Sequence, residues 1–284
     1  MQIAQAIPAT ATRRSKVFLP REHGATAMML TPPVGVAILA RTWHWSEIAV
    51  VLAAFAAMAA KDPAVLLVRQ RFVWKGKSPD AASAARWLAG WGVLLIASVL
   101  VLFATWPLKA FLAIGAGVAA FGALAVYVNV KNRQRSTLFQ IASAAALTST
   151  SLATSIAALG TVPRWCWWFW ILVAAQASAG ILVVHARLDA RIALRKAAAP
   201  SLQFRRASQA AIAVLFCAAA AAVFLGQGYI AAALALAVAA YGWDLRRQTS
   251  PASLQTPLKT VGQQALLLSS IYSLLLIAGL WETR

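Results

Sequence analysis

A chain of 284 residues that is 61% hydrophobic, 12% charged and of mean hydropathy +0.72 lacks the make-up of a soluble domain, in which about a quarter of residues are charged. Its 26 lysines and arginines against 7 acidic residues give a formal charge of +19, yet the cations stand between apolar runs rather than in one patch, which argues against a nucleic-acid-binding surface. The runs are long enough to cross ~30 Å of hydrocarbon as helices, so the fold class is an all-α, multi-pass membrane protein.

Residues 1–20, with Arg13, Arg14 and Lys16, read as a loose basic tail ahead of a single transmembrane domain over 21–284. The Arg13-Arg14 pair is a weak match to a twin-arginine signal, because the apolar residue expected after the pair is displaced and no small-residue cleavage site follows. Nine apolar segments are expected after it, at about 24–41, 47–69, 86–106, 107–129, 136–159, 164–186, 208–225, 228–244 and 259–281.

The first segment is entered through Arg21-Glu22-His23. Pro20 suits a first helical position, and Glu22 sits favourably at the positive end of the helix that follows. Adjacent residues point to different sides of a helix, so Glu22 and His23 are separate candidates for acid–base work rather than a dyad. Thr31-Pro32-Pro33 is expected to break this span midway, which buries freed backbone in protein or lines a cavity with it.

The second segment is interrupted by Lys61-Asp62-Pro63. Lys61 lies about 12 Å from Arg69 at the helical rise, a depth at which charge is costly and usually faces a cavity or a partner. The alternative is a helix that ends early, leaving 64–68 as a re-entrant piece. In the third and fourth segments Gly90, Gly92, Gly115, Gly117 and Gly122 suit close helix packing. Cys166 and Cys217 lie within apolar runs and read as small packing residues, with no disulfide or metal spacing.

The sixth segment leaves through His185, Arg187, Asp189 and Arg191, and a helix with Arg187, Arg191 and Arg195 on one face is expected to extend it into the cytosol or along the headgroups. His185 and Asp189 are one turn apart and able to pair, unless the stretch is simply a solvated face.

If the N-terminus is cytosolic, alternate connections collect twenty-one cations on that side against four outside, with Lys61 set aside. The external ends gather Trp43, Trp45, Trp106, Trp165, Trp167, Trp168, Trp170 and Trp281, an anchoring belt first and a ligand cage second. No phosphate-binding glycine loop, zinc-protease motif or nucleophile triad is present.

Pro20-Arg21-x-His23-Gly24-Ala25, followed by Met28 and Pro32, resembles the opening of YwiC-like membrane proteins, typically Pro-Lys-x-His-Gly-Ala-aromatic-x-Met. The basic group Arg69, Arg71 and Lys75 and the stretch Arg135-Ser136-x-Leu138 fit as well. Thr26 replaces the aromatic residue, and Gln140 stands where a glutamate is usual. The resemblance implies a multi-pass protein of the bacterial cytoplasmic membrane.

In layout, nine spans also resemble the UbiA prenyltransferase superfamily, whose loops after spans two and six hold Mg²⁺ on aspartate-rich motifs. Here those loops are basic, with single aspartates, Asp80 and Asp189, so Mg²⁺ is implied by fold analogy alone.

The expected function is binding of an isoprenoid or other lipid phosphate in a cavity open to the cytosolic leaflet, with UbiA-like transfer as an open possibility. Arg21, Lys61, Arg69, Arg71, Arg187, Asp189 and Arg191 are the expected binding residues; His23, Glu22 and Asp62 are the candidates for chemistry. Two rival readings are a small-solute or ion transporter and a non-enzymatic scaffold or assembly factor.

Overall fold

The computed structural model describes residues 23–74, 79–133 and 136–282. Among them the chain is helical throughout, in the order α1 (His23–Ala40), α2 (Trp45–Phe72), α3 (Ala81–Thr105), α4 (Leu108–Val130), α5 (Thr137–Thr148), α6 (Thr150–Leu159), α7 (Arg164–Arg195), α8 (Leu202–Phe224), α9 (Gly228–Arg247), α10 (Pro251–Leu254) and α11 (Leu258–Glu282). Eight stretches are long and apolar enough to cross a membrane, with α5 and α6 acting as one, and α1 is a shorter apolar helix beside them. The nine expected segments therefore all form helices. The sixth runs on to Arg195, as its cations suggested, and the seventh is longer than expected: α8 starts at Leu202, leaving a short link.

Two groups of helices pack around a shared middle. On one side α2 lies along α3, with α4 beside α2; on the other, α7, α8, α9 and α11 pack together. Between them α1 touches α6, α11, α2 and α5, and its Val36 and Leu39 are wholly buried against Phe169, Leu276 and Tyr272. Lipid tails are as apolar as leucine, so close approach rather than water exclusion holds such helices together.

The glycines that allow that approach are not those expected. A Cβ on Gly35 would come within 2.6 Å of Phe169 Cζ, and one on Gly279 within 2.7 Å of Ile230 Cγ1. Gly90, Gly92, Gly115, Gly117 and Gly122 face open space instead, and α4 buries none of its side chains.

Both predicted breaks are absent. Helix α1 runs through Pro32 and Pro33, and α2 runs through Lys61-Asp62-Pro63, with all three prolines buried. The early-ending helix over 64–68 is thus corrected: those residues are α-helical. A proline removes the N–H that would serve the carbonyl one turn back, so Pro33 frees the carbonyl of Met29. Thr150 Oγ1, at the start of α6, lies 3.1 Å from that oxygen and donates to it or to Leu147 O at 2.8 Å. Tertiary contact supplies the missing donor, and the helix continues.

The bend between α5 and α6 has a local origin. Thr148, Ser149, Thr150 and Ser151 all turn their hydroxyls back onto carbonyls three or four residues earlier, a pattern that bends helices. Cys166 is buried and Cys217 exposed, and neither forms a disulfide.

Candidate functional site at the basic end of the bundle

Helix α7 has 32 residues and is about 48 Å long at 1.5 Å per residue, so it outruns the ~30 Å of hydrocarbon. Its last turns stand at the end of the bundle where the cationic connections gather, and they carry His185, Arg187, Asp189 and Arg191. The four do not form one constellation. Each is tied to a different neighbour.

His185 Nε2 lies 2.9 Å from Gln140 Oε1 on α5, and its ring stacks on Phe204 of α8 at 5.2 Å between centroids. Asp189 Oδ2 accepts the backbone N–H of Ser201 at 2.7 Å, fixing the entry to α8. The expected His185–Asp189 pair is therefore corrected, because each side chain has found a partner on another segment. Arg191 Nη1 reaches Thr256 O at 3.5 Å, a long contact that leaves most of its donors uncommitted.

Arg187 is the centre of the arrangement and only 4% exposed. Its Nη2 donates to Asp244 Oδ1 on α9 in an ion pair, and its Nη1 donates to Ser253 O at 2.9 Å on α10. Gln248, one turn beyond Asp244, donates to Asp244 Oδ2 at 3.2 Å and lies 3.2 Å from Val183 O. Arg187 Nε is buried and has no acceptor. A guanidinium buried without a counter-ion is strongly unfavourable, so Asp244 is what allows Arg187 to sit here.

Asp244 and Gln248 were not expected from the sequence. The available signal was one of only 7 acidic residues, placed at the basic end of a span.

The residues expected on α2 form a separate group. Arg69 Nη2 donates to Asn129 O and Asn132 Oδ1, so this guanidinium caps the end of α4. Arg71 is exposed. Lys61 Nζ is 4.0 Å from Asp62 Oδ1, and the Asp62 side chain is 55% exposed on the flank of α2. Helix α2 packs on α1, α3, α4 and α6, whereas the His185–Arg191 turns belong to α7 and face α5, α8, α9 and α10. The two groups are thus not brought together as one pocket. Arg21 and Glu22 lie outside the described residues, and of His23 only its place at the start of α1 is described.

The donor set does not suit the Mg²⁺ that the UbiA layout would imply. Asp189 is engaged by a backbone N–H, Asp244 by Arg187, and no three His, Cys, Asp or Glu side chains converge among the described residues. Mg²⁺ on phosphate needs carboxylates free to face it.

Residues 19–155 match the family described as YwiC-like protein. No curated protein and no solved structure matches the chain. The matched region covers α1 to α5 and most of α6, with Gln140 inside it; His185, Arg187 and Asp244 lie beyond it. This multi-pass membrane protein is thus similar to the YwiC-like family over residues 19–155.

Proposed function

We propose that the protein binds the phosphate headgroup of a membrane lipid, an isoprenoid phosphate being the favoured species, at the end of α7, with the acyl or prenyl chain lying along the helices. The supporting observation is Arg187: a buried guanidinium held in place by Asp244 and Ser253 O, with its Nε–H lacking an acceptor. A buried N–H left unpaired costs about 1–3 kcal/mol, and a phosphate oxygen would satisfy it. Arginine's fork suits phosphate geometry, and Arg191 one turn on adds a second cation whose donors are mostly free. His185, engaged by Gln140 and stacked on Phe204, is given no role in the binding.

The transporter reading loses one support, because the first span is unbroken; the half-exposed Asp62 remains its best feature. The test is titration of a prenyl diphosphate into the purified protein, with and without EDTA. Wild type should bind in EDTA and weaken as salt rises, and Arg191→Ala should bind several-fold more weakly. Binding that needs Mg²⁺, or that ignores Arg191 and salt, would overturn the reading.

A further inference from the structure

At the opposite, tryptophan-rich end of the bundle a carboxylate is buried with no counter-ion among the described residues. Glu47, in the first turn of α2, is 4% exposed. Its Oε1 accepts the backbone N–H of His44 at 3.0 Å, and Oε2 is buried with no partner. The described lysines and arginines of this end look elsewhere. Arg41 is exposed and lies over the Trp281 ring at 4.2 Å, and Lys109 and Arg164 are exposed at the starts of α4 and α7. Among the described residues the ion pairs Lys61–Asp62 and Arg187–Asp244 lie elsewhere.

Two further buried polar atoms in the same layer lack partners. One is the hydroxyl of Thr42, in the turn that leads into α2. The other is the indole Nε1 of Trp106, a residue 8% exposed at the end of α3. Trp106 packs in one cluster with Ala49 and Val50, and Val50 is one turn along the same face of α2 as Glu47. Trp106 thus belongs to the same end of the α2–α3 pair as Glu47. This end is also anchored: Ser46 Oγ donates to Ala157 O at 3.0 Å, tying the first turn of α2 to α6.

An ionised carboxylate taken out of water needs a compensating charge. The helix N-terminus supplies part of one. Glu47 Oε1 is folded back onto His44, two residues after Thr42, and a single carboxylate matches a charge of +1 rather than +2, since divalent cations usually gather several carboxylates.

We infer that Glu47 Oε2 and Thr42 Oγ1 hold a small monovalent cation, with Na⁺ the best match, together with a water that takes the Trp106 indole N–H. The site is independent of the lipid-binding reading and lies at the other end of the molecule. Glu47, not any residue of α7, is its defining group.

The test uses the full-length protein in detergent micelles, with thermal unfolding followed at fixed pH and ionic strength while Na⁺ replaces N-methylglucamine. Wild type should show a saturable rise in Tm with Na⁺. Glu47→Gln should lose it, with at least a tenfold drop in apparent affinity. Trp106→Phe, which keeps the ring and removes the N–H, should weaken it several-fold. A Tm that ignores the cation, or a Glu47→Gln response equal to wild type, overturns the inference. Should Glu47→Gln fail to fold, ²²Na⁺ binding to wild type and Trp106→Phe decides instead: saturable binding weakened in Trp106→Phe supports the site, and absent or unchanged binding refutes it.

Discussion

Removing the carboxylate of Asp244 gives the sharpest test of how the end of α7 is held. Asp244→Ala takes away the acceptor of two donors, Arg187 Nη2 and Gln248 Nε2, and leaves the buried Arg187 guanidinium with Ser253 O alone. Breaking a buried pair from one side typically costs about 3–5 kcal/mol, chiefly through the stranded charge. Arg187's side chain is 5% exposed but Asp244's is 27%, so some solvent reaches the vacated side. The expected loss is therefore at the lower end, about 3 kcal/mol. The measurement is reversible unfolding in mixed micelles with rising SDS. Replacing both partners by apolar residues, Arg187→Met with Asp244→Leu, should recover more than half of that loss, because no charge is then stranded. An Asp244→Ala cost below about 1 kcal/mol, or a double variant as unstable as the sum of its parts, would refute the reasoning.

Three other outcomes follow from the packing. Gly35→Ala should cost about 1–3 kcal/mol because its Cβ would meet Phe169 at 2.6 Å, whereas Gly115→Ala on open α4 should change stability little; the same SDS assay compares them. Thr150→Val should cost about 0.6 kcal/mol in the wild-type background and less when Pro33→Ala restores a donor for Met29 O, so a double-mutant cycle with no coupling would discard the proposed compensation. A reporter fused after Trp281 should read external and one inserted at 196–201 cytosolic; both on one side would overturn the orientation inferred from the cations.

The spans were legible because each is a long apolar run closed by charge, and that signal is local. What failed were inferences that stopped at the local sequence. Pro32-Pro33 does remove backbone hydrogen bonds, but the replacement donor is Thr150, 121 residues away, and no window around the prolines contains it. Lys61-Asp62-Pro63 likewise left α2 continuous. His185 and Asp189 have the spacing of a pair, yet Gln140 and the N–H of Ser201 compete for them from other segments. Arg187 was visible as a cation at the end of a span, but its partner Asp244 is 57 residues on and had no motif to mark it. Glycine counts pointed to α3 and α4, while the contacts that need glycine fall at Gly35, Gly180 and Gly279, where a neighbour's bulk, not glycine density, decides.

The contact between Met29 and Thr150 also has a meaning in time. A ribosome adding about 5–20 residues per second needs roughly 6–24 s to make the 121 residues between them. Through that interval α1 is already synthesised but its freed carbonyl has no donor from α6. The wait is longer still for its full socket, because Gly35 also lies beside Ile277 of α11, the last of the described helices. The first of the described helices to be synthesised is thus among the last of them to be completely packed. A chain halted before α11 would expose the tightly fitted face of α1, giving membrane quality control a definite surface by which to distinguish an unfinished molecule from a finished one.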